Sequence, residues 1–559
     1  IMPNNLSTFA RNPVDISTER STWKMPYSVT TSFNAGKLVP IGTPIECLPG
    51  DTFKMNQGVF CRMSTPIHPV LDEAYLDVHW YFVPSRILWD HFEEFMGAND
   101  DPWAQTIEYV VPKIAMPTNG FDPKSVADYM GIPTGLNGLA TLLPRVQALP
   151  FRAYAKIWND YYRDENIQYA IDIPLDDVTR SGAHVGGDPL ITAVLGGDLL
   201  PVCKYHDYFT SALPEPQKGP DVILPINDLS ASVVPAGWFS LTDSSKIGPI
   251  TVVPQTSFNG STGQVVDAGL KAGANSIYGT EGSPLFYRSG LDVEVDEYIG
   301  PTINQLREAF ALQRAYELDA LGGTRINEVI KAHFGVQVPD YRVQRAEYIG
   351  GTHIRLNMSQ VLQTSATNEV SPQGNTAAFS ATGERKDIFT YSAVEPGFII
   401  GVCMIRNQQS YQQGLHRLWS RSRRFDFYWP EFANIGNQPI YNGEIYLSSE
   451  GTDHENNVNT EVFGFKEAWA EYRYMPSIKT GAMRSNYPGG SLDVWHYADY
   501  YDERPTLSPD WIRADPANID RTLAVQSELE DQFIAQFEFD LTAARRMPLH
   551  SVPGSLLHH

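Results

Sequence analysis

Alternation of apolar and polar side chains organises the first part of this chain. Between residues 75 and 82, Leu76, Val78, Trp80 and Phe82 fall on one side of a period-two pattern, and Tyr75, Asp77, His79 and Tyr81 fall on the other. That pattern predicts a strand with one dry face, and Pro84 ends it because proline brings no ladder donor. Strand-like runs are predicted over 36–48, 51–63 and 74–83, with Pro49 and Gly50 making the turn between the first two. This is the rhythm of a β-barrel or sandwich. The polar stretch before them, residues 1–31, reads as an extended arm.

Helical spacing appears in three places. Near 150–163, Pro150 fits a first turn, and Phe151, Tyr154, Trp158, Tyr161 and Tyr162 follow at steps of three and four, an aromatic stripe that suits core or subunit contact better than a ligand platform. A second helix has Thr302 as N-cap with Gln305 three residues on, carries Ile303, Leu306 and Phe310 as its stripe, and ends at Gly322 and Gly323. A third begins at Thr324 and turns Ile326, Val329, Ile330 and Phe334 inward. It places Lys331 and His333 in its last turn and stops at Gly335.

Between residues 220 and 300 the texture shifts to Gly, Ser, Thr and Pro with short β-branched runs, too long a span for an ordinary connection. It reads as an inserted β-rich subdomain or a loop. Near its end Asp292, Glu294 and Asp296 alternate with Val293 and Val295. Three carboxylates on one strand face could hold a calcium ion, against the plainer reading of a solvated charge ladder.

The 559 residues can bury a large core without staples. A net charge of −23, from 65 acidic and 42 basic residues, excludes a surface that condenses nucleic acid as a whole. DNA contact must then be local. Cys47, Cys61, Cys203 and Cys403 form neither a CxxC pair nor a cluster and read as buried thiols of a reducing compartment. No apolar run reaches the length of a membrane span, and the opening residues lack the apolar centre of a secretory signal.

Catalytic signatures are missing: there is no P-loop and no GxSxG elbow. His454-Glu455 starts like a zinc-protease helix, but Val458 stands where the second histidine belongs. Asp493, His496 and Asp499 imitate a metal trio inside a tyrosine-rich stretch that better suits a hydrogen-bonded surface loop. One constellation fits a single nucleic-acid strand: His416, Arg417, Trp419, Arg421, Arg423 and Arg424, followed by Phe425, Phe427, Tyr428 and Trp429. Guanidinium groups pair with phosphates while rings stack on unpaired bases. A subunit interface explains the same residues equally well, since arginine and tryptophan dominate contact hot spots. Arg545 and Arg546 are a smaller candidate of the same kind.

Long blocks carry a family resemblance. They are PIHPVLDEAYLDVHWYFVPSRILWDHFEEFMG at 66–97, HDYFTSALPEPQKG at 206–219, PTINQLREAFALQRAYELDALGGTRINEVIKAHFGV at 301–336 and RVQRAEYIGG at 342–351, then YQQGLHRLWSRSRRFDFYWP at 411–430 and FGFKEAWAEYRYMPS at 463–477. In this order the chain resembles the major capsid proteins of the gokushoviruses, small tailless single-stranded DNA phages of the family Microviridae. The resemblance implies a mainly β protein, a viral single jelly roll of eight antiparallel strands with long inserted loops and a few helices, spanning 32–559 behind the arm of 1–31. It implies a structural protein without enzymatic activity or cofactor, sixty copies of which close a T = 1 icosahedral shell around circular single-stranded DNA in the cytoplasm of a bacterial host. It further implies a small basic DNA-associated protein and minor virion proteins as partners. Residues 220–300 match the variable insertion that forms a threefold protrusion and meets a host receptor. The alternative from another class is a carbohydrate-binding or glycoside-hydrolysing β-protein, since acidic surfaces rich in Trp and Tyr also suit sugars.

Overall fold

The computed structural model describes residues 19–98, 109–135, 145–222, 303–362, 364, 373–374, 376–449 and 457–550. Between 223 and 302 it describes four strands, Ala231–Pro235, Ile250–Val252, Leu270–Ala272 and Leu291–Val295. The chain divides into two compact units, Pro220–Ala315 and the remainder. In the smaller unit Ala231–Pro235 pairs antiparallel with Leu291–Val295, and Ile250–Val252 with Leu270–Ala272.

The larger unit is built on two antiparallel sheets. The first contains β1 (Ser21–Phe33), β2 (Thr52–Met63), β5 (Thr382–Ser392) and β9 (Phe533–Arg545), in the order β1-β9-β2-β5. The second contains β3 (Ala74–Pro84), β4 (Glu347–Arg355) and β6 (Gly397–Asn407), in the order β4-β3-β6, with the short strands Val39–Pro40 and Ile45–Cys47 closing it on β6. Counted as one interrupted strand, that last pair makes four strands per sheet. Along the chain the path crosses between the sheets repeatedly, which gives the expected jelly roll. Residues 21–31, expected within the arm, are instead an edge strand, β1, whose register with β9 runs unbroken from Ser21↔Arg545 to Phe33↔Phe533. Its polar alternation hides a strand because only one of its faces meets the core. Residues 1–18 lie outside the described residues.

The predicted dry face of β3 is sealed: Leu76, Val78, Trp80 and Phe82 are all buried. Trp80 meets Phe539 of β9 edge-on at 5.4 Å between ring centroids and donates its indole N–H to Gln57 of β2 at 2.9 Å. A buried indole nearly always finds such an acceptor. Gly401 in β6 makes room for this ring, since a Cβ there would lie 2.8 Å from it. The other face of β3 is not wet as a half-buried strand would be, because Asp77 and Tyr81 are buried as well. Helix α1 (Leu149–Ile157) and the π-helical turn Trp158–Tyr162 account for part of that cover. The aromatic stripe is core: Tyr154 donates to the Leu38 carbonyl at 2.6 Å, Trp158 to that of Pro201 at 2.7 Å, and the Tyr162 hydroxyl lies 3.0 Å from that of Tyr81.

Helices α2 (Ile303–Gly322) and α3 (Ile326–Phe334) form where the spacing places them, and Gly335 closes α3 in the left-handed region at φ 69°. Their packing differs from expectation. Ile303, Phe310, Ile326 and Phe334 are exposed, and no residue of α3 is buried. Periodicity marks an apolar stripe but not what covers it. His333 stands with Lys331 in the last turn of α3, as expected, and also pairs with Asp319 at 2.8 Å; Thr302 lies outside the described residues. All four cysteines are buried thiols, and burial pushes the Cys61 thiol up to about 12. Among the described residues no helix is long and apolar enough to cross a membrane.

Candidate functional site

The arginine and aromatic segment lies on the hairpin of β7 (Asn437–Tyr441) and β8 (Val462–Glu467) and on the turn Ala470–Tyr472 that follows it. Gly414 lets the chain enter at close range, since a Cβ there would sit 1.9 Å from the Glu444 carbonyl oxygen. His416 then caps a short helical turn by accepting from the Leu418 amide at 3.1 Å. Asp426 accepts from the Arg423 and Ser422 amides at 2.6 and 2.8 Å. Those two bonds hold its carboxyl below the usual range.

The predicted guanidinium groups separate into two kinds. Arg417 donates to the Pro439 carbonyl at 3.0 Å, lies 3.8 Å from Glu444 and sits over the Tyr441 ring. Burial pushes the Glu444 carboxyl upward against the pull of Arg417. Arg421 pairs with Glu471 at 2.8 Å, both side chains buried, and stacks over Tyr472 at 4.3 Å. These two charges are spent inside the subunit. Arg423 and Arg424 are exposed, Arg424 lying over the Trp429 ring at 4.5 Å and the Phe425 ring at 5.4 Å. Around them Trp419 is 74% exposed and Phe425 60%, with Leu418, Phe427 and Tyr428 also exposed.

Arg545, at the end of β9, donates to the Glu46 carbonyl at 2.9 Å and lies 3.5 Å from Asp51, so it too is engaged. Arg546 beside it is exposed. Asp292 and Glu294 fall on alternate positions of Leu291–Val295, while Asp296, His454 and Glu455 lie outside the described residues. Among the described residues no group of three His, Cys, Asp or Glu side chains could hold a metal ion. The trio at 493–499 does not converge: His496 donates Nε2–H to the Met483 carbonyl at 2.6 Å, Asp499 pairs with Lys204 at 2.8 Å, and Asp493 lies 3.9 Å from Arg521.

Sequence reasoning missed a polar network on the covered face of β3. Asp77 accepts from Arg406 and Tyr205, each at 2.7 Å, and meets His353 at 2.5 Å. Burial alone would raise its pKa, but Arg406 and these hydrogen bonds outweigh burial and hold the carboxyl below its usual value. The signal was one acid among the aromatic residues of that face. Next to it opens a cleft of ≈ 590 Å³ whose lining includes His79, Tyr81, Tyr162, Lys331, Arg345 and Tyr348.

A family model described as Capsid protein (F protein) matches residues 13–555. The chain belongs to that family. It is 39% identical to "Capsid protein VP1" of Bdellovibrio phage phiMH2K, over 99% of this chain and 98% of the relative. It is 37% identical to the proteins of the same name from Chlamydia phage 1 and Spiroplasma virus 4, over 96% of this chain and 95% of each relative. The resemblance to gokushovirus capsid proteins is borne out, and nothing in these matches points to sugar binding or hydrolysis. This is a structural capsid protein of a phage virion, not an enzyme, and it works as part of a multimeric shell.

Proposed function

We propose that sixty copies of this capsid protein close a T = 1 icosahedral shell around circular single-stranded DNA, assembled in the cytoplasm of a bacterial host. The observation that carries the reading is the pairing of an eight-stranded jelly roll with a match to phage capsid proteins along nearly the whole chain. Many weak contacts repeated by closed symmetry would give the shell its stability. At −23 the chain cannot neutralise a genome, so a small basic partner or cations carry that charge, with minor virion proteins completing the particle. Residues 220–300 form the threefold protrusion and meet the host receptor; in support, 220–315 is a compact unit of its own. Divalent ions on Asp292, Glu294 and Asp296 remain a reading of the alternation alone.

The test is to treat purified particles with DNase, extract what survives and digest it with a nuclease specific for single strands. One circular species of uniform length, resistant inside the particle and sensitive once extracted, is expected. Shells that protect no DNA, or protect duplex DNA, would overturn the packaging reading.

A further inference from the structure

We infer that the aromatic surface of residues 418–428, extended by Tyr472, is a contact between two copies of this chain and not a seat for the genome. The inference rests on the shell reading and names a surface that seals it. Its residues are bare in the single subunit: Trp419, Phe425, Phe427, Tyr428 and Tyr472 are all exposed. Four of them fall in two neighbouring clusters, with Trp419 just before Phe425 in sequence. Tyr428 lies 6.2 Å from Tyr472, Arg421 bridges Tyr472 and Phe427, and Phe425 meets Phe432 edge-on at 5.6 Å. Soluble chains rarely leave such apolar area uncovered.

Charge decides the occupant. A strand of DNA needs an excess of cations, since each phosphate contact releases counterions only if the protein replaces them. By formal charge the four arginines are balanced by four carboxylates: Glu444 lies by Arg417 and Glu471 by Arg421, Asp426 accepts from the Arg423 amide, and Glu431 follows on the same segment, while the Arg424 guanidinium stacks on rings alone. Of the cations nearby, Arg473 is matched by Glu467 at 2.5 Å and Lys479 by Asp72, while Lys466 donates to Ser211. The surface is close to neutral on a chain of −23. Copies of so acidic a chain repel wherever their acidic faces meet. A neutral aromatic island is where two of them can approach, bury rings and exclude water, and arginine stacked on aromatic rings is the composition of contact hot spots.

Two variants of the full chain test this beside the unchanged protein: Arg423→Glu with Arg424→Glu, and Trp419→Ala. Particle yield is read by sedimentation and electron microscopy, DNA per particle by nuclease protection, and folding by circular dichroism. Both variants are expected to fold and to lose particle yield about tenfold or more, the equivalent of ~1.4 kcal/mol or more per contact. Yield of the charge variant should recover in ~1 M salt, where the Debye length falls to ~3 Å, and yield of Trp419→Ala should not. Normal shells with less DNA would move the surface to the genome, and normal shells with normal DNA would leave it facing solvent; either overturns the inference. A charge variant that fails to fold leaves Trp419→Ala to decide. If the unchanged chain itself forms no shells, the shell reading has failed first.

Discussion

The two sheets of the jelly roll solve the same packing problem differently. In the sheet of β1, β9, β2 and β5 the inner strands alternate residue by residue: in β9, Phe533, Ala535, Phe537, Phe539, Leu541 and Ala543 are buried and the residues between them are not. Its outer face carries Lys24, Asn56, Arg385, Glu538 and Asp540, with the Arg385 and Asp540 side chains joined across strands. In the sheet of β4, β3 and β6 the outer face is covered over β3 and β6 but not over the edge strand β4, and β6 is buried at every position but one. The first sheet is an ordinary half-solvated wall. The second is an interior element whose polar groups must be satisfied inside the protein, which is why Asp77, Arg406, Tyr205 and His353 form a network there.

This contrast sets how much of the fold could be read from sequence. Alternation found β2 and the inward face of β3, because a strand with one dry face writes period two into its residues. It missed β6, GFIIGVCMIRN, because a strand buried on both faces reads as a continuous apolar run. It read β1 as an arm because an edge strand with a solvated face is mostly polar. The candidate surface was legible as a composition, arginine beside aromatic rings, but not as a charge balance. Glu444 and Glu471 lie far along the chain from Arg417 and Arg421, and only the fold brings them together.

Replacement of shared core should have the largest effect. Trp80→Ala, which empties the space between the sheets, should destabilise the subunit by ~3–5 kcal/mol in denaturant titration. Asp77→Ala should cost a similar ~3–5 kcal/mol, because it strands the buried Arg406 guanidinium. A cost under ~1 kcal/mol would show that the second sheet is wetter than described. On the open wall, Lys24→Ala or Glu538→Gln should change stability by no more than ~0.5 kcal/mol, and a larger loss would mean that this face too is covered.

Acid provides a finer separation. Burial lowers the pKa of His79 from its model-peptide value of 6.5, and that of Asp77 is lowered from 3.8. For both groups the unfolded chain binds protons at a higher pH than the folded one does. Stability therefore falls with pH, first below about 6.5 through His79 and through His496, whose pKa burial lowers likewise, and then below about 4 through Asp77. Thermal melting of dissociated subunits should follow this course. His79→Phe should flatten the first part of the decline, and Asp77→Asn should flatten the second.

In the proposed shell, apolar surface left bare in one subunit is covered by another. Hydrogen exchange measured on DNA-free shells and on dissociated subunits tests it most directly. Residues 418–432 should exchange markedly more slowly in shells, while 397–407, sealed within each subunit, should be equally slow in both. Equal exchange of 418–432 in shells and free subunits would contradict the claim.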